Sequence, residues 1–143
     1  MVKKFFITIM VLAMFVFVWS QFRHFYIVNN ISFTVWKRVG GYCYVIPGRY
    51  YSLKKPKKDY IRVSNVGSLL ICLKNDSSLV LFNNRYIDND SVYINFKNYK
   101  FEYYSPNSRS IDEIKKWDEM RSVNRRNLPF LEVDIREMSA VID

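Results

Sequence analysis

The chain begins with one long apolar segment and then changes to short apolar runs separated by turn residues. Between Phe5 and Trp19 lie fifteen residues, of which only Thr8 is polar. From residue 31 to 104, runs rich in Val, Ile, Tyr and Phe are interrupted by Gly, Asn, Asp and Ser, a pattern typical of strands joined by turns. The sequence therefore predicts an N-terminal apolar helix followed by a mainly β body.

Seven strands are predicted between residues 31 and 104, with an eighth near the C-terminus. Turn residues connect them closely, for example Gly40-Gly41 after the first strand and Lys97-Asn98 before the seventh. Parallel strands need crossovers of a dozen or more residues, so this spacing predicts an antiparallel sheet that is either curled or a small barrel-like meander. In chain order the predicted strands are ISFTVWK, YCYVIP, YIRVS, SLLICLK, SLVLF, SVYINF, YKFEYY and FLEVDIRE.

One helix is predicted in the body, at about residues 110–126. Ser110 and Glu113 fit a capping box, and Pro129 provides a stop after the helix. Apolar residues recur at helical spacing, so the helix is expected to cover one face of the sheet. These apolar residues are Ile111, Ile114 and Trp117.

Two of the predicted strands differ in how they face the core. SLLICLK, at residues 68–74, is nearly all apolar and is predicted to be buried on both faces. FLEVDIRE, at residues 130–137, alternates apolar residues with charged ones, among them Glu132 and Asp134. Alternation of this kind indicates one buried and one solvated face.

The apolar N-terminal segment is predicted to be a signal for export. Lys3 and Lys4 precede it, as in secretory signals. Its length of about 22 Å is less than the roughly 30 Å of a bilayer core, which favours a signal peptide cleaved near Ser20. The absence of an A-x-A cleavage site and the apolar residues that continue to Val28 favour an uncleaved anchor instead. Both interpretations remain open.

The charges flanking this segment predict where the body lies. Lys3 and Lys4 lie before it and only Arg23 follows closely, which favours an N-terminus inside and a body outside the cytoplasm. We therefore divide the chain into a signal or anchor, residues 1–28, and one extracytoplasmic β-rich domain, residues 29–143. On the periplasmic side of a Gram-negative inner membrane, or secreted after cleavage, such a domain would not meet nucleic acid.

Charge and cysteine content narrow the chemistry of the partners. The net charge is +9, and +6 remains after the three basic residues of the first 28 are removed, so anionic partners are favoured.

The only cysteines, Cys43 and Cys72, are predicted to form a disulfide in an oxidising compartment. The other interpretation is a pair of buried thiols.

Catalytic, cofactor and metal sites are not expected. The only histidine, His24, lies beside the apolar segment, away from any nucleophile that it could activate. The chain has no glycine-rich phosphate motif, and Asp88-Asn89-Asp90 lacks the further ligands of a calcium loop. A non-enzymatic protein without cofactor or metal is predicted, and an enzyme that acts through carboxylates alone remains an open alternative.

The segment PGRYYSLKKPKKDY, residues 47–60, is the candidate binding surface. It combines clustered cations with aromatic residues, which suits an acidic protein surface or anionic headgroups, although a solubilising loop is also compatible. We expect a small exported or membrane-anchored binding protein of the immunity or exclusion type. The alternative is an accessory subunit of an envelope or secretion assembly. The candidate contact residues are Arg49, Tyr50, Tyr51, Lys54, Lys55, Lys57 and Lys58.

Overall fold

The computed structural model describes residues 2–38, 42–52, 54–64, 67–83, 92–105 and 110–143. The predicted turns at Gly40-Gly41 and Asp88-Asn89-Asp90 lie outside these ranges. The mainly β fold with a C-terminal helix is confirmed. In chain order the elements are α1 (Val2–Gln21), β1 (Arg23–Val28), β2 (Ile31–Lys37), β3 (Tyr42–Pro47), β4 (Tyr60–Ser64), β5 (Ser68–Asn75), β6 (Ser78–Asn83), β7 (Val92–Asn95), β8 (Lys100–Tyr104), α2 (Ile111–Asn127), β9 (Phe130–Asp134) and β10 (Ser139–Ile142).

The strands form two five-stranded sheets. The first sheet has the order β1-β2-β3-β4-β7 and is antiparallel throughout. The second has the order β10-β9-β5-β6-β8, in which β6 and β8 run parallel. The prediction of one curled sheet or barrel-like meander is therefore wrong, because β7 and β8, expected to pair as a hairpin, belong to different sheets.

Asp59 binds the connection through which the chain leaves the first sheet after β7. The Asp59 carboxylate accepts the backbone amides of Lys97 (2.7 Å) and Asn98 (2.8 Å) and the side-chain amide of Asn98 (2.5 Å). These hydrogen bonds fix the connection beside the start of β4. The backbone of β8 then pairs with β6, and the Lys100 amide donates to the Ser77 carbonyl at 2.8 Å.

One apolar core joins the two sheets. Strand β5 is buried on both faces, as predicted, because its alternate residues enter different clusters: Leu69 and Ile71 face the first sheet, while Leu70 and Cys72 face α2. The cluster between the sheets consists of Val28, Phe33, Val35, Cys43, Val45, Ile61, Val63, Leu69, Ile71, Leu73, Leu79, Leu81, Leu131, Val133 and Ile135.

Helix α2 covers the outer face of the second sheet through Trp117, which packs with Phe82 and Phe130. Ser110 is the N-cap residue as predicted, but its side chain does not form the predicted capping hydrogen bond. Its carbonyl accepts the amide of Ile114 at 3.1 Å. The packing of Trp117 against the sheet stabilises the helix.

One residue of the predicted solvated face of β9, Glu132, is covered by α2, contrary to prediction, while Asp134 on the same face stays partly exposed. Glu132 lies under α2 with its side chain only 17 % exposed. It pairs with the guanidinium groups of Arg121 and Arg125. A partly buried carboxylate is stable there because two cations of the helix compensate its charge.

Strand β1 belongs to the first sheet, although the sequence grouped residues 23–28 with the leader. It pairs with β2 from Arg23↔Trp36 to Val28↔Ile31. Asn29 (φ 44°) and Asn30 (φ 68°) form the two-residue turn, and Asn tolerates this left-handed conformation better than most residues. Among the residues described, no helix is both long enough and apolar enough to cross a membrane.

Candidate binding surface on the first sheet

The outer face of the first sheet carries a row of cation and aromatic side chains, one from each strand. The strand register brings them together: Arg23 pairs with Trp36, Trp36 with Tyr44, Tyr44 with Arg62, and Arg62 with Tyr93. Each of these residues lies directly opposite the next one on the adjacent strand, where side chains make their closest contacts. The row therefore spans the sheet from edge to edge.

Trp36 forms the buried centre of this face. It clusters with Tyr44 and Ile46, and Tyr50 and Tyr60 pack against the cluster. The Arg23 guanidinium lies 4.3 Å from the centre of the Trp36 ring, and burial lowers the pKa of Arg23 from its ordinary value. Arginine readily stacks in this way because its planar cation is weakly hydrated.

The basic loop, residues 48–59, is fixed at its start by β1 and β2. The Thr34 hydroxyl donates to the Gly48 carbonyl (2.7 Å) and accepts the Tyr50 amide (2.9 Å). Arg23 donates from Nη1 to the Tyr50 carbonyl (2.6 Å) and from Nη2 to the Ser52 carbonyl (3.1 Å). Gly48 adopts φ +93°, a value that glycine tolerates without steric cost.

The end of the basic loop is fixed at the opposite edge of the same sheet, beside β7. The Asn95 side-chain amide donates to the Lys57 carbonyl at 3.2 Å. Asp59 binds the turn after β7, and Pro56 is buried. The basic loop consequently crosses the outer face from the β1 edge to the β7 edge and is held by hydrogen bonds near both of its ends.

The predicted contact residues fall into two classes. Tyr50 is held within the fold, because its ring centre lies 6.1 Å from that of Trp36 and its hydroxyl donates to the Lys54 carbonyl at 2.7 Å. Tyr51 is 63 % exposed, and its ring packs against that of Phe25, with ring centres 5.3 Å apart. The remaining predicted residues are exposed: Arg49, Lys54, Lys55, Lys57 and Lys58.

A second exposed group on this face was missed from the sequence. The Arg62 guanidinium lies 4.9 Å from the ring centre of Tyr42 and 5.2 Å from that of Tyr93. Both tyrosines are nearly half exposed, and none of the described carboxylates forms an ion pair with Arg62. We call these three residues the Arg62 clamp. Alternation along YCYVIP and YIRVS places Tyr42 and Arg62 on outward-facing positions, but only the strand register brings them together.

The predicted disulfide is not formed. Cys43 lies in the core between the sheets, whereas Cys72 points from β5 toward α2, and both thiols are free. Cys43 projects from β3 of the first sheet into the core between the sheets, whereas Cys72 projects from the second sheet away from that core, so the orientation that a disulfide requires is absent. Burial raises the pKa of each thiol to about 12.

Comparison with known proteins identifies no relative of this chain. It matches no protein family, no curated protein and no solved structure. In the described ranges, no three His, Cys, Asp or Glu side chains are grouped so as to hold a metal ion.

Proposed function

We propose that this chain is a non-catalytic binding protein of the cell envelope, exported or membrane-anchored through α1, that neutralises another protein in the manner of an immunity or exclusion protein. The observation that carries the binding role is the Arg62 clamp, whose Tyr93 lies on β7, the strand that also binds the Lys57 carbonyl through Asn95. Arginine and tyrosine are the residue types that dominate the energetics of protein interfaces. The partner surface is expected to be acidic.

The chemistry of the Arg62 clamp supports recognition of a carboxylate. A guanidinium group presents a planar fork that can donate two parallel hydrogen bonds to one carboxylate. The rings of Tyr42 and Tyr93 hold that fork in place, which reduces the conformational entropy lost on binding. Lys57 and Lys58 add exposed positive charge nearby, which accelerates association with an acidic surface.

The proposal is tested by identifying the partner and measuring its binding rates. The tagged chain is cross-linked in the envelope of the cells that make it, and the captured protein is purified and assayed by surface plasmon resonance at several salt concentrations. Lys57→Glu/Lys58→Glu should slow association and weaken its salt dependence. Tyr93→Ala should speed dissociation about thirtyfold, as expected for a contact worth about 2 kcal/mol.

The matched control is Lys115→Glu/Lys116→Glu, which makes the same charge change on exposed positions of α2. Unchanged rates in both loop and clamp variants would contradict the proposed site. The immunity role has its own test, since cells that lack the chain should become sensitive to the captured protein. Survival without the chain would refute neutralisation even if binding occurs.

An accessory subunit of an envelope or secretion assembly is the second candidate, favoured by α1. Every large apolar side chain between Phe5 and Val18 is more than half exposed, so the helix offers apolar surface to the helices of other envelope subunits. Purification in mild detergent distinguishes the candidates. A stable complex of several envelope subunits would favour the accessory role, and a single captured protein would favour neutralisation.

A further inference from the structure

An apolar patch lies at the β1 edge of the first sheet, opposite the Arg62 clamp. Phe25 (42 % exposed) and Ile27 (56 %) occupy alternate positions on β1, and Tyr51 (63 %) reaches Phe25 from the basic loop. We call these three residues the β1 patch. Phe25 and Tyr51 are in contact, and Ile27 follows Phe25 at the next outward-facing position of β1, so the three side chains are grouped at one edge, unlike the scattered apolar residues of an ordinary protein exterior.

The β1 patch lies close to α1, because the helix leads directly into β1. The helix ends at Gln21 and β1 begins at Arg23, so the two are separated by a span of about 7 Å of chain. Apolar side chains lie on all sides of α1 and are exposed. A helix that is apolar on all sides is stable only when a membrane or another protein covers it. The membrane or protein that covers α1 therefore lies close to the β1 patch.

Positive charge borders the β1 patch. Lys54 and Lys55 are exposed on the half of the basic loop that Arg23 and Tyr50 hold toward β1. Exposed lysines are attracted to an anionic membrane surface. Aromatic and aliphatic side chains that flank lysines are characteristic of the boundary between headgroups and acyl chains.

We propose that the β1 patch rests on the surface of a bilayer rich in anionic phospholipid. Phe25, Ile27 and Tyr51 reach the boundary between headgroups and acyl chains, and Lys54 and Lys55 contact the headgroup phosphates. Arg62 lies on β4, three strand spacings from β1, which is about 14 Å at the usual strand spacing, so the Arg62 clamp stays accessible to a protein partner. This inference does not depend on the proposed function.

The test compares two labelled positions in the full chain on vesicles. Ile27→Cys and Val123→Cys replace aliphatic residues of similar exposure, the first on β1 and the second on α2 at the opposite side of the molecule. Each variant carries an environment-sensitive fluorophore, and the native cysteines stay unlabelled because they are buried. Since α1 is present in both variants, any difference between them reports the orientation of the body.

On vesicles containing phosphatidylglycerol, the label at position 27 should shift to shorter wavelength and be quenched by brominated lipid, while the label at position 123 should not. Lys54→Glu/Lys55→Glu should reduce the quenching at position 27, and the matched Lys115→Glu/Lys116→Glu should leave it unchanged. Equal quenching at both positions would overturn the proposal. So would quenching at position 27 that is the same on pure phosphatidylcholine and insensitive to the loop reversal. Protection of position 27 by the captured protein partner, without any response to vesicles, would assign the β1 patch to a protein interface instead.

Discussion

The guanidinium of Arg23 stacks on the ring of Trp36 while its two terminal nitrogens donate to the backbone of the basic loop. Arg23, the first residue of β1, thus connects the sheet to the basic loop. Because Arg23 is almost fully buried, the geometry of the loop depends on the planar fork of this residue rather than on its charge alone.

Arg23→Lys is therefore expected to loosen the basic loop while leaving the core intact. Lysine keeps the charge but cannot donate to both carbonyls, and loss of a charge-assisted hydrogen bond costs about 2 kcal/mol. Tryptic cleavage at the loop lysines should become at least tenfold faster. Arg38→Lys is the matched control, since the Arg38 guanidinium also lies over Trp36, at 5.2 Å. Equal acceleration in both variants would show that stacking, and not the hydrogen bonds, holds the loop.

Asp59 is expected to make stability depend on pH. Burial would raise the pKa of Asp59, but the hydrogen bonds from Asn98 and Lys97 outweigh it and hold the pKa below its ordinary value of 3.8. Because the native state favours the ionised form, this stabilisation is complete above pH 3.8 and is lost as pH falls through the native pKa.

The measurement compares urea unfolding of the wild type and Asp59→Asn across this pH range. Asparagine fits the left-handed conformation at this position (φ 54°), so the variant removes the charge without backbone strain. The free-energy difference should be about 2 kcal/mol at neutral pH and should shrink in acid. A difference that does not change with pH would contradict the role of the carboxylate.

The two cysteines are expected to remain unreactive in the native protein. Their pKa values of about 12 leave the thiols neutral at physiological pH, and it is the thiolate that reacts. Labelling by iodoacetamide should therefore be limited by unfolding and become rapid in urea. Migration on non-reducing gels should not respond to reductant, and a mobility shift abolished by reductant would indicate a disulfide.

The sequence predicts the existence of strands better than their partners. Eight apolar runs were identified because each carries its own alternation or apolar character. Strand β1 was missed because its residues continue the apolar content of the leader, and β10 because SAVI follows a charged turn without a strong pattern. The connection between β7 and β8 is bound by Asp59, which is 38 residues from Lys97 in sequence, so no local pattern encodes this contact.

The candidate surface was likewise predicted only where it is contiguous in sequence. Clustered lysines mark the basic loop directly. Tyr42, Arg62 and Tyr93 lie on three strands and become neighbours only through the register of the sheet. Glu132 was misread for a related reason: alternation alone cannot reveal that Arg121 and Arg125 on a preceding helix lie over that face of the strand.

Because β7 and β8 lie in different sheets, the short link between them couples the unfolding of the two sheets. The two strands are separated by only four residues, yet β7 closes one edge of the first sheet and β8 one edge of the second. Detaching either strand pulls on the other through this short link, so neither sheet can open as an independent foldon. Native-state hydrogen exchange should consequently show the amides of β4 and β6 becoming exposed in the same cooperative event.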